Sequence, residues 1–137
     1  MTISEKQASD EWCVARTISM LAAYLPERLR AQVLARIRHF GDAGARVRAL
    51  NGISNTFPET LAGEIRDEAF ATARSIESHW LRSRALIGVA VHIPEHRTQA
   101  LADALSAVDQ LHSDIHRAQA LSGMGGLLPS DLVDQAV

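Results

Sequence analysis

Four prolines divide the chain at nearly even intervals, at Pro26, Pro58, Pro94 and Pro129, which are separated by 32, 36 and 35 residues. Repeat periods in this range are typical of stacked helical hairpins. Proline fits the first position of a helix but pushes the residue before it out of the α region. Each proline therefore predicts that one helix ends and a second begins, which gives about four two-helix units.

The residues that lead into each proline repeat in type as well as in polarity. Eight positions before proline the column reads Ile18, Leu50, Leu86 and Leu121, and the columns nine, five and one positions before proline are also mostly apolar. Steps of one, three and four place these positions on one face of a helix, because a strand would alternate at every second residue. We expect this face to be buried in each pre-proline helix.

The start of each pre-proline helix is marked sixteen positions before proline. This column reads Asp10, Asp42, Ser78 and Ser113. Each of these side chains has an oxygen that can accept from the free N–H groups of a first helical turn. The sequence therefore predicts four N-caps.

Glycine recurs inside the same helices, six positions before proline, where the column reads Met20, Gly52, Gly88 and Gly123. A glycine in a helix interior costs up to about 1 kcal/mol relative to alanine, so something must offset the loss. We expect close approach of a neighbouring helix; local flexibility is the alternative.

These patterns together predict an all-α fold, a right-handed α-solenoid of about four two-helix repeats with a period of about 32–36 residues. The length of 137 residues suits a single domain covering residues 1–137. Its units are expected at about 10–41, 42–77, 78–112 and 113–137, with the last unit incomplete.

Composition excludes several classes of function. The chain has 14 basic and 16 acidic residues, a formal charge of −2, so no bulk positive field draws it onto nucleic acid. No apolar run approaches the roughly 20 residues that span a bilayer, and the opening residues lack the basic start and apolar core that are typical of a signal peptide. The lone Cys13 cannot form an intramolecular disulfide. We expect a cytoplasmic protein that does not contact a membrane.

One unit carries a family resemblance. Asp42, followed by Val47 and Arg48 and then by Ala49 and Leu50, resembles the second-helix signature of HEAT-like repeats, and the other units keep parts of it. The repeat period of about 35 residues is also similar to that of helical arrays attached to bacterial signalling and defence NTPases. The resemblance implies a non-enzymatic chain that supplies binding surfaces, such as the sensor or repeat part of such a system.

If the pre-proline helices line a groove, the positions 14, 10, 7 and 3 before proline form its outer stripe. From this stripe we predict eight partner-binding residues: Trp12, Arg16, Arg48, Asn51, Asn55, Trp80, Arg84 and Gln119. Each tryptophan stands four positions before an arginine, so a guanidinium can lie over an indole. The alternative role is structural, with both tryptophans plugging the joints between units and the arginines forming a ladder with Asp10 and Asp42.

A second arginine column, twelve positions before proline, contains Arg46, Arg82 and Arg117. With the first column it would make a positive stripe, which keeps a nucleic-acid or phosphate-binding repeat as an alternative function. Acidic residues nearby offer partners to these arginines. A solvated ion-pair face is therefore the favoured interpretation, and nucleic acid is disfavoured as a partner.

Six histidines raise the alternative of a small histidine-metal enzyme. The pair His92 and His96 straddles Pro94, and the pair His112 and His116 straddles the predicted cap Ser113. Neither pair is then expected on one continuous helix. We predict no metal, no cofactor and no catalytic residue.

The leading hypothesis is a non-enzymatic scaffold for protein recognition or assembly. Only eight residues follow Pro129, so the fourth unit is underbuilt. Because the ends of helical arrays need caps that shield the core, we expect the terminal repeat to pair with a second copy or with a neighbouring domain.

Overall fold

The computed structural model describes residues 4–124. Within that range the chain forms helices joined by short turns, with no strand. The helices are α1 (Glu5–Leu21), α2 (Glu27–Arg38), α3 (Ala43–Ile53), α4 (Glu59–Arg74), α5 (His79–His92), α6 (Arg97–Val108) and α7 (Asp114–Met124). The all-α prediction is confirmed.

The prolines separate successive helices as predicted. Before Pro26 and Pro58, α1 and α3 each pass into a three-residue 3₁₀ turn, Ala22–Tyr24 and Ser54–Thr56. In the third repeat, α5 ends immediately before Ile93, and the 3₁₀ turn Pro94–His96 follows instead. The helix boundary predicted at Leu128 lies outside the described residues.

Three of the four predicted N-caps are confirmed. The Oδ2 atom of Asp42 accepts from the backbone N–H of Ala45 at 2.8 Å. The Oγ atoms of Ser78 and Ser113 each accept, at 3.3 Å, from the N–H group three residues further on.

The fourth predicted cap, Asp10, is wrong, because this residue lies inside α1. The helix begins at Glu5, and the cap is Ser4, whose Oγ accepts from the backbone N–H of Gln7 at 3.1 Å. The residues between Ser4 and Asp10 include no glycine or proline and are mostly good helix formers, so the helix starts earlier than the repeat alignment suggests.

The second arginine column makes one backbone contact three times. Each arginine donates from its guanidinium to the carbonyl oxygen six residues before it, in the loop that precedes the helix. The contacts are Arg46 to Phe40 at 2.6 Å, Arg82 to Ile76 at 2.8 Å and Arg117 to Leu111 at 2.6 Å. These arginine clamps replace the expected ion-pair face. Their recurrence shows that the proline alignment pairs structurally equivalent positions.

The chain divides into two compact units, Met1–Thr72 and Ala73–Val137. In the first unit α1 packs extensively against α3, and α2 also contacts α3. In the second unit α5 packs extensively against α6, and α7 contacts both. The single continuous solenoid stays a prediction.

The apolar column supplies much of each core. Leu50 in the first unit and Leu86 in the second have no exposed surface, as predicted. Ile18 and Leu121 in the same column are half-buried.

The glycine column supports the expected close approach at one position. A Cβ placed on Gly52 would lie 2.8 Å from the Cα of Ser19 on α1, so only glycine fits between α1 and α3. At Gly123 the same construction lies 3.9 Å from two methyl carbons of Ile87, which is an ordinary contact. Close approach therefore explains the first of these glycines and not the second.

Candidate functional site

Most of the predicted partner-binding residues lie on exposed surface. Among the eight, those exposed are Trp12, Arg16, Arg48, Asn55, Arg84 and Gln119. Trp80 is half-buried, and Asn51 is buried. The outer stripe is thus largely accessible, with one exception.

Asn51 does not belong to the contact surface, because only 7% of it is exposed. Since α3 packs against both α1 and α2, a wider part of its surface is buried than the single apolar face that the repeat pattern predicts. The side-chain Oδ1 of Asn51 accepts no hydrogen bond from the described residues. Asn55, nearby in the 3₁₀ turn, is exposed, and its Oδ1 accepts from Arg66 at 2.6 Å.

In the second unit a stacked aromatic pair joins α5 to α7. The rings of Trp80 and His116 have their centroids 4.4 Å apart and lie 14° from parallel. One helical turn along α5, the Cζ of Arg84 is 5.5 Å from the Trp80 ring centroid, which confirms the predicted cation–π contact for this pair. We call Trp80, Arg84 and His116, with the flanking residues Ile87, Val91, Ile115 and Gln119, the Trp80 face.

The flanking residues give the Trp80 face exposed apolar surface. Ile115 is 70% exposed and Val91 is 47% exposed. On α5 the stripe keeps helical spacing, because positions 80, 84, 87 and 91 recur at steps of four, three and four. One stripe of α5 therefore carries an aromatic ring, a cation and an exposed aliphatic side chain, and the exposed Ile115 precedes His116 on α7.

His116 is a site residue that the sequence pattern does not predict, because the histidine spacing raises only metal binding. It stands thirteen positions before Pro129, next to the stripe position that holds Ile115. The stack needs α7 to begin near Ser113, a start that the cap column predicts. The contact itself depends on how α7 packs against α5, which no spacing within one helix reveals.

In the first unit Trp12 makes the equivalent connection from α1 to α3. A Cβ built on Gly44 would lie 2.7 Å from Cζ2 of the Trp12 indole, so this ring lies directly on the first turn of α3. The indole is still 39% exposed. Each tryptophan thus bridges two successive pre-proline helices, which is the joint between two predicted two-helix repeats, and both helices belong to one compact unit. This agrees with the predicted structural role and leaves surface available for binding.

The arginines of the first column make no polar contact through their guanidinium groups within the described residues. Within residues 4–124, the guanidinium groups of Arg16, Arg48 and Arg84 make no hydrogen bond or ion pair with another described residue. The predicted ladder with Asp10 and Asp42 does not form, because the carboxylate of Asp42 caps α3 instead. Three exposed cations thus occupy stripe positions, Arg16 and Arg48 in the first unit and Arg84 in the second.

One carboxylate that sequence reasoning missed holds the loop before α3. Glu11 accepts from the backbone N–H groups of Asp42 at 2.7 Å and Gly41 at 3.0 Å. Burial raises the pKa of the Glu11 carboxyl, but these hydrogen bonds and one from Gln7 outweigh it, so its pKa lies below the ordinary value. Glu11 is therefore an anchor between α1 and the α2–α3 loop.

Each unit also contains an open cleft. The cleft of the first unit, about 540 Å³, is lined by Gln7, Asp10, Glu11, Val14, Ala35, Arg36, His39 and Phe40. That of the second, about 330 Å³, is lined by Arg74, Arg82, Leu86, Asp103, Ser106, Ala107 and Gln110. In the second cleft Arg74 pairs with Asp103 at 3.2 Å, and Arg82 clamps a loop carbonyl. These charges serve the fold.

The histidines do not form a metal centre in the part of the chain that the structure describes. No group of three or more histidine, cysteine, aspartate or glutamate side chains there is placed to hold an ion. As expected, α5 ends at His92 and α7 begins after Ser113, so neither histidine pair lies on one helix. Among the same residues, no helix is long and apolar enough to cross a membrane.

No protein-family model matches this sequence, and neither curated proteins nor solved structures gave a match.

Proposed function

We propose that this chain is a non-enzymatic, HEAT-like α-solenoid module that recognises a protein partner through the exposed stripe of its pre-proline helices. The Trp80 face is the main contact site in the second unit, and the Trp12, Arg16 and Arg48 side chains are the contact residues in the first. Because its repeat pattern resembles helical arrays attached to bacterial signalling and defence NTPases, the chain would serve as the repeat part of such a system.

The contrast between the two arginine columns carries this proposal. Arg46, Arg82 and Arg117 each donate to a loop carbonyl and stabilise the fold. Two positions further along α3 and α5, Arg48 and Arg84 keep their guanidinium groups exposed and make no hydrogen bond or ion pair with the described residues; α7 has Gln119 there. Arginine and tryptophan are enriched among the residues that dominate binding energy at protein interfaces.

The experiment is recovery of partners from lysate, with mass spectrometry of what copurifies. We expect Arg84→Ala and Trp80→Ala each to reduce recovery of a specific partner, because an interface anchor is lost. Arg28→Ala is the matched control, since Arg28 is exposed on α2, outside the stripe. Circular dichroism checks that each variant is folded. A folded triple variant Trp12→Ala, Arg48→Ala, Trp80→Ala that retains every partner would contradict the proposal.

A second candidate is binding of single-stranded nucleic acid. The stacked Trp80 and His116 rings favour it, since bases stack on such aromatic platforms. The arginine clamps count against it, because their cations donate to carbonyls and are not available to phosphates. This function predicts binding of a labelled oligonucleotide at 50 mM salt that weakens steeply as salt is raised. Absence of binding at low salt removes it.

A further inference from the structure

We propose that the Trp80 face binds an acidic peptide segment in which a carboxylate side chain lies close to an aliphatic one. This inference rests on the proposed function and adds the chemistry of the partner. It follows from the charge of α5, the environment of Arg84 and the apolar residues around it.

The charge of α5 differs from that of the chain. The helix contains Arg82 and Arg84 and no aspartate or glutamate, whereas the whole chain carries a formal charge of −2. Arg82 is held by the carbonyl groups of Ile76 and Glu77, and its other nitrogen contacts His79. Arg84 is therefore the arginine of α5 that can pair with an external anion.

Arg84 is positioned for a carboxylate before any partner arrives. Its guanidinium lies 5.5 Å from the Trp80 ring centroid, which restricts the side chain while leaving it exposed. A guanidinium presents a planar fork of donors that matches the two oxygens of a carboxylate. Holding that fork in place lowers the entropy lost on binding.

The surroundings of Arg84 favour a peptide over a phosphate backbone. Aliphatic surface is exposed on the same face: Val91, on the same stripe of α5 as Arg84, is 47% exposed, and Ile115, next to the stacked His116 on α7, is 70% exposed. A nucleic-acid backbone gains affinity from several cations at once. In the second unit the second-column residues Arg82 and Arg117 are bound to loop carbonyls, so Arg84 is the cation that the Trp80 face offers. A segment that has a carboxylate close to an aliphatic side chain is therefore the better complement.

Fluorescence anisotropy of three labelled peptides tests this directly on the full chain. The first alternates aspartate with leucine, the second replaces each aspartate by asparagine, and the third replaces each leucine by serine. We expect the first to bind most tightly and each replacement to weaken binding about tenfold, since charge-assisted hydrogen bonds and buried leucine each contribute at that scale. Arg84→Gln should abolish the preference for aspartate over asparagine, whereas Arg28→Gln should keep it.

The outcomes separate this inference from the proposed function. Equal binding of the aspartate and asparagine peptides, or an aspartate preference that survives Arg84→Gln, overturns the acidic partner and leaves the stripe intact. If an oligonucleotide binds and none of the three peptides does, both the acidic partner and the proposed protein-recognition function are overturned. If no peptide binds, the inference is wrong, and the recovery experiment with Trp80→Ala decides the proposed function by itself.

Discussion

The two units bring the same repeat positions together but at different separations. Between α1 and α3, Ser19 meets Gly52; between α5 and α7, Ile87 meets Gly123. In both cases a residue seven positions before one proline faces the residue six positions before the next. Where the facing residue is a small serine, the backbones nearly touch, and where it is an isoleucine they do not. The repeat thus determines which positions meet, and the facing side chain determines their distance.

The units also differ in what each tryptophan covers. Trp12 lies on Gly44, whereas Trp80 lies on the exposed ring of His116. Fifteen positions before proline, the first unit has Glu11, which anchors a loop, and the second has His79, which contacts Arg82. The first unit therefore uses these columns for packing. In the second unit the Trp80 ring instead stacks on an exposed histidine and lies under the exposed Arg84, which is why the Trp80 face is the centre of the proposed site.

The largest effect on stability is expected where Gly52 of α3 meets Ser19 of α1. Gly52→Ala should lower the free energy of unfolding by about 2 kcal/mol, because the new methyl group meets the backbone of Ser19, which cannot rotate away as a side chain can. Urea denaturation of both proteins measures the change.

Gly63→Ala is the control for this substitution. A Cβ on Gly63, in α4, has no atom within 4 Å, so the alanine should stabilise by up to about 1 kcal/mol through helix propensity alone. If Gly52→Ala were as stable as Gly63→Ala, the close approach of α1 and α3 would be refuted.

The loop anchor gives the next effect. Glu11→Gln should lower the free energy of unfolding at pH 7 by about 1 kcal/mol, because charge-assisted hydrogen bonds to Asp42 and Gly41 become neutral ones. Burial raises the pKa of Glu11 but its hydrogen bonds lower it further. Because the folded-state pKa is thus the lower one, this contribution is present above the unfolded-state value of 4.5 and is lost as pH falls through the folded-state pKa.

Denaturation at pH 7 and at pH 3 checks the sign of that dependence. The wild-type protein should lose more stability on acidification than Glu11→Gln, so the difference between them should shrink at low pH. A difference that stays constant, or that grows, would show that the carboxylate does not anchor the loop.

The same arginine clamp occurs in both units, so it tests whether one contact contributes equally to stability in each of them. Arg46→Met and Arg82→Met each remove a guanidinium that donates to a loop carbonyl, so each should cost about 1 kcal/mol. Methionine keeps an apolar stem of similar length. Thermal unfolding should show similar losses for both. An effect confined to one unit would mean that the repeated contact is not a repeated source of stability.

Much of this fold follows from local chemistry that the sequence displays. The helix boundaries at Pro26 and Pro58 and the caps at Asp42 and Ser78 depend on residues within a few positions of each other, and all are predicted correctly. The cap predicted at Asp10 is wrong because it rests on the repeat alignment alone, whereas the residues before Asp10 are themselves helix formers and α1 begins at Glu5.

The candidate site was predicted only in part, because its remaining features depend on tertiary packing. Exposure of Arg84 follows from helical spacing, but the stacking of His116 on Trp80 depends on where α7 packs. Burial of Asn51 likewise depends on two neighbours of α3. Loop carbonyls become partners for the second arginine column only once the loop is folded, and no spacing in the sequence indicates where a carbonyl points.

The smallest effect is expected at the loose contact, and it is the sharpest test of the comparison. In Gly123→Ala the new methyl group would lie 3.9 Å from the methyl carbons of Ile87, so packing neither gains a clash nor loses a contact. Helix propensity then favours alanine, although the position is near the end of α7, where the gain falls to about 0.5 kcal/mol or less. Urea denaturation should place Gly123→Ala at or slightly above the wild type. Destabilisation comparable to that of Gly52→Ala would mean that α5 and α7 approach as closely as α1 and α3, so that the facing residue does not set the distance.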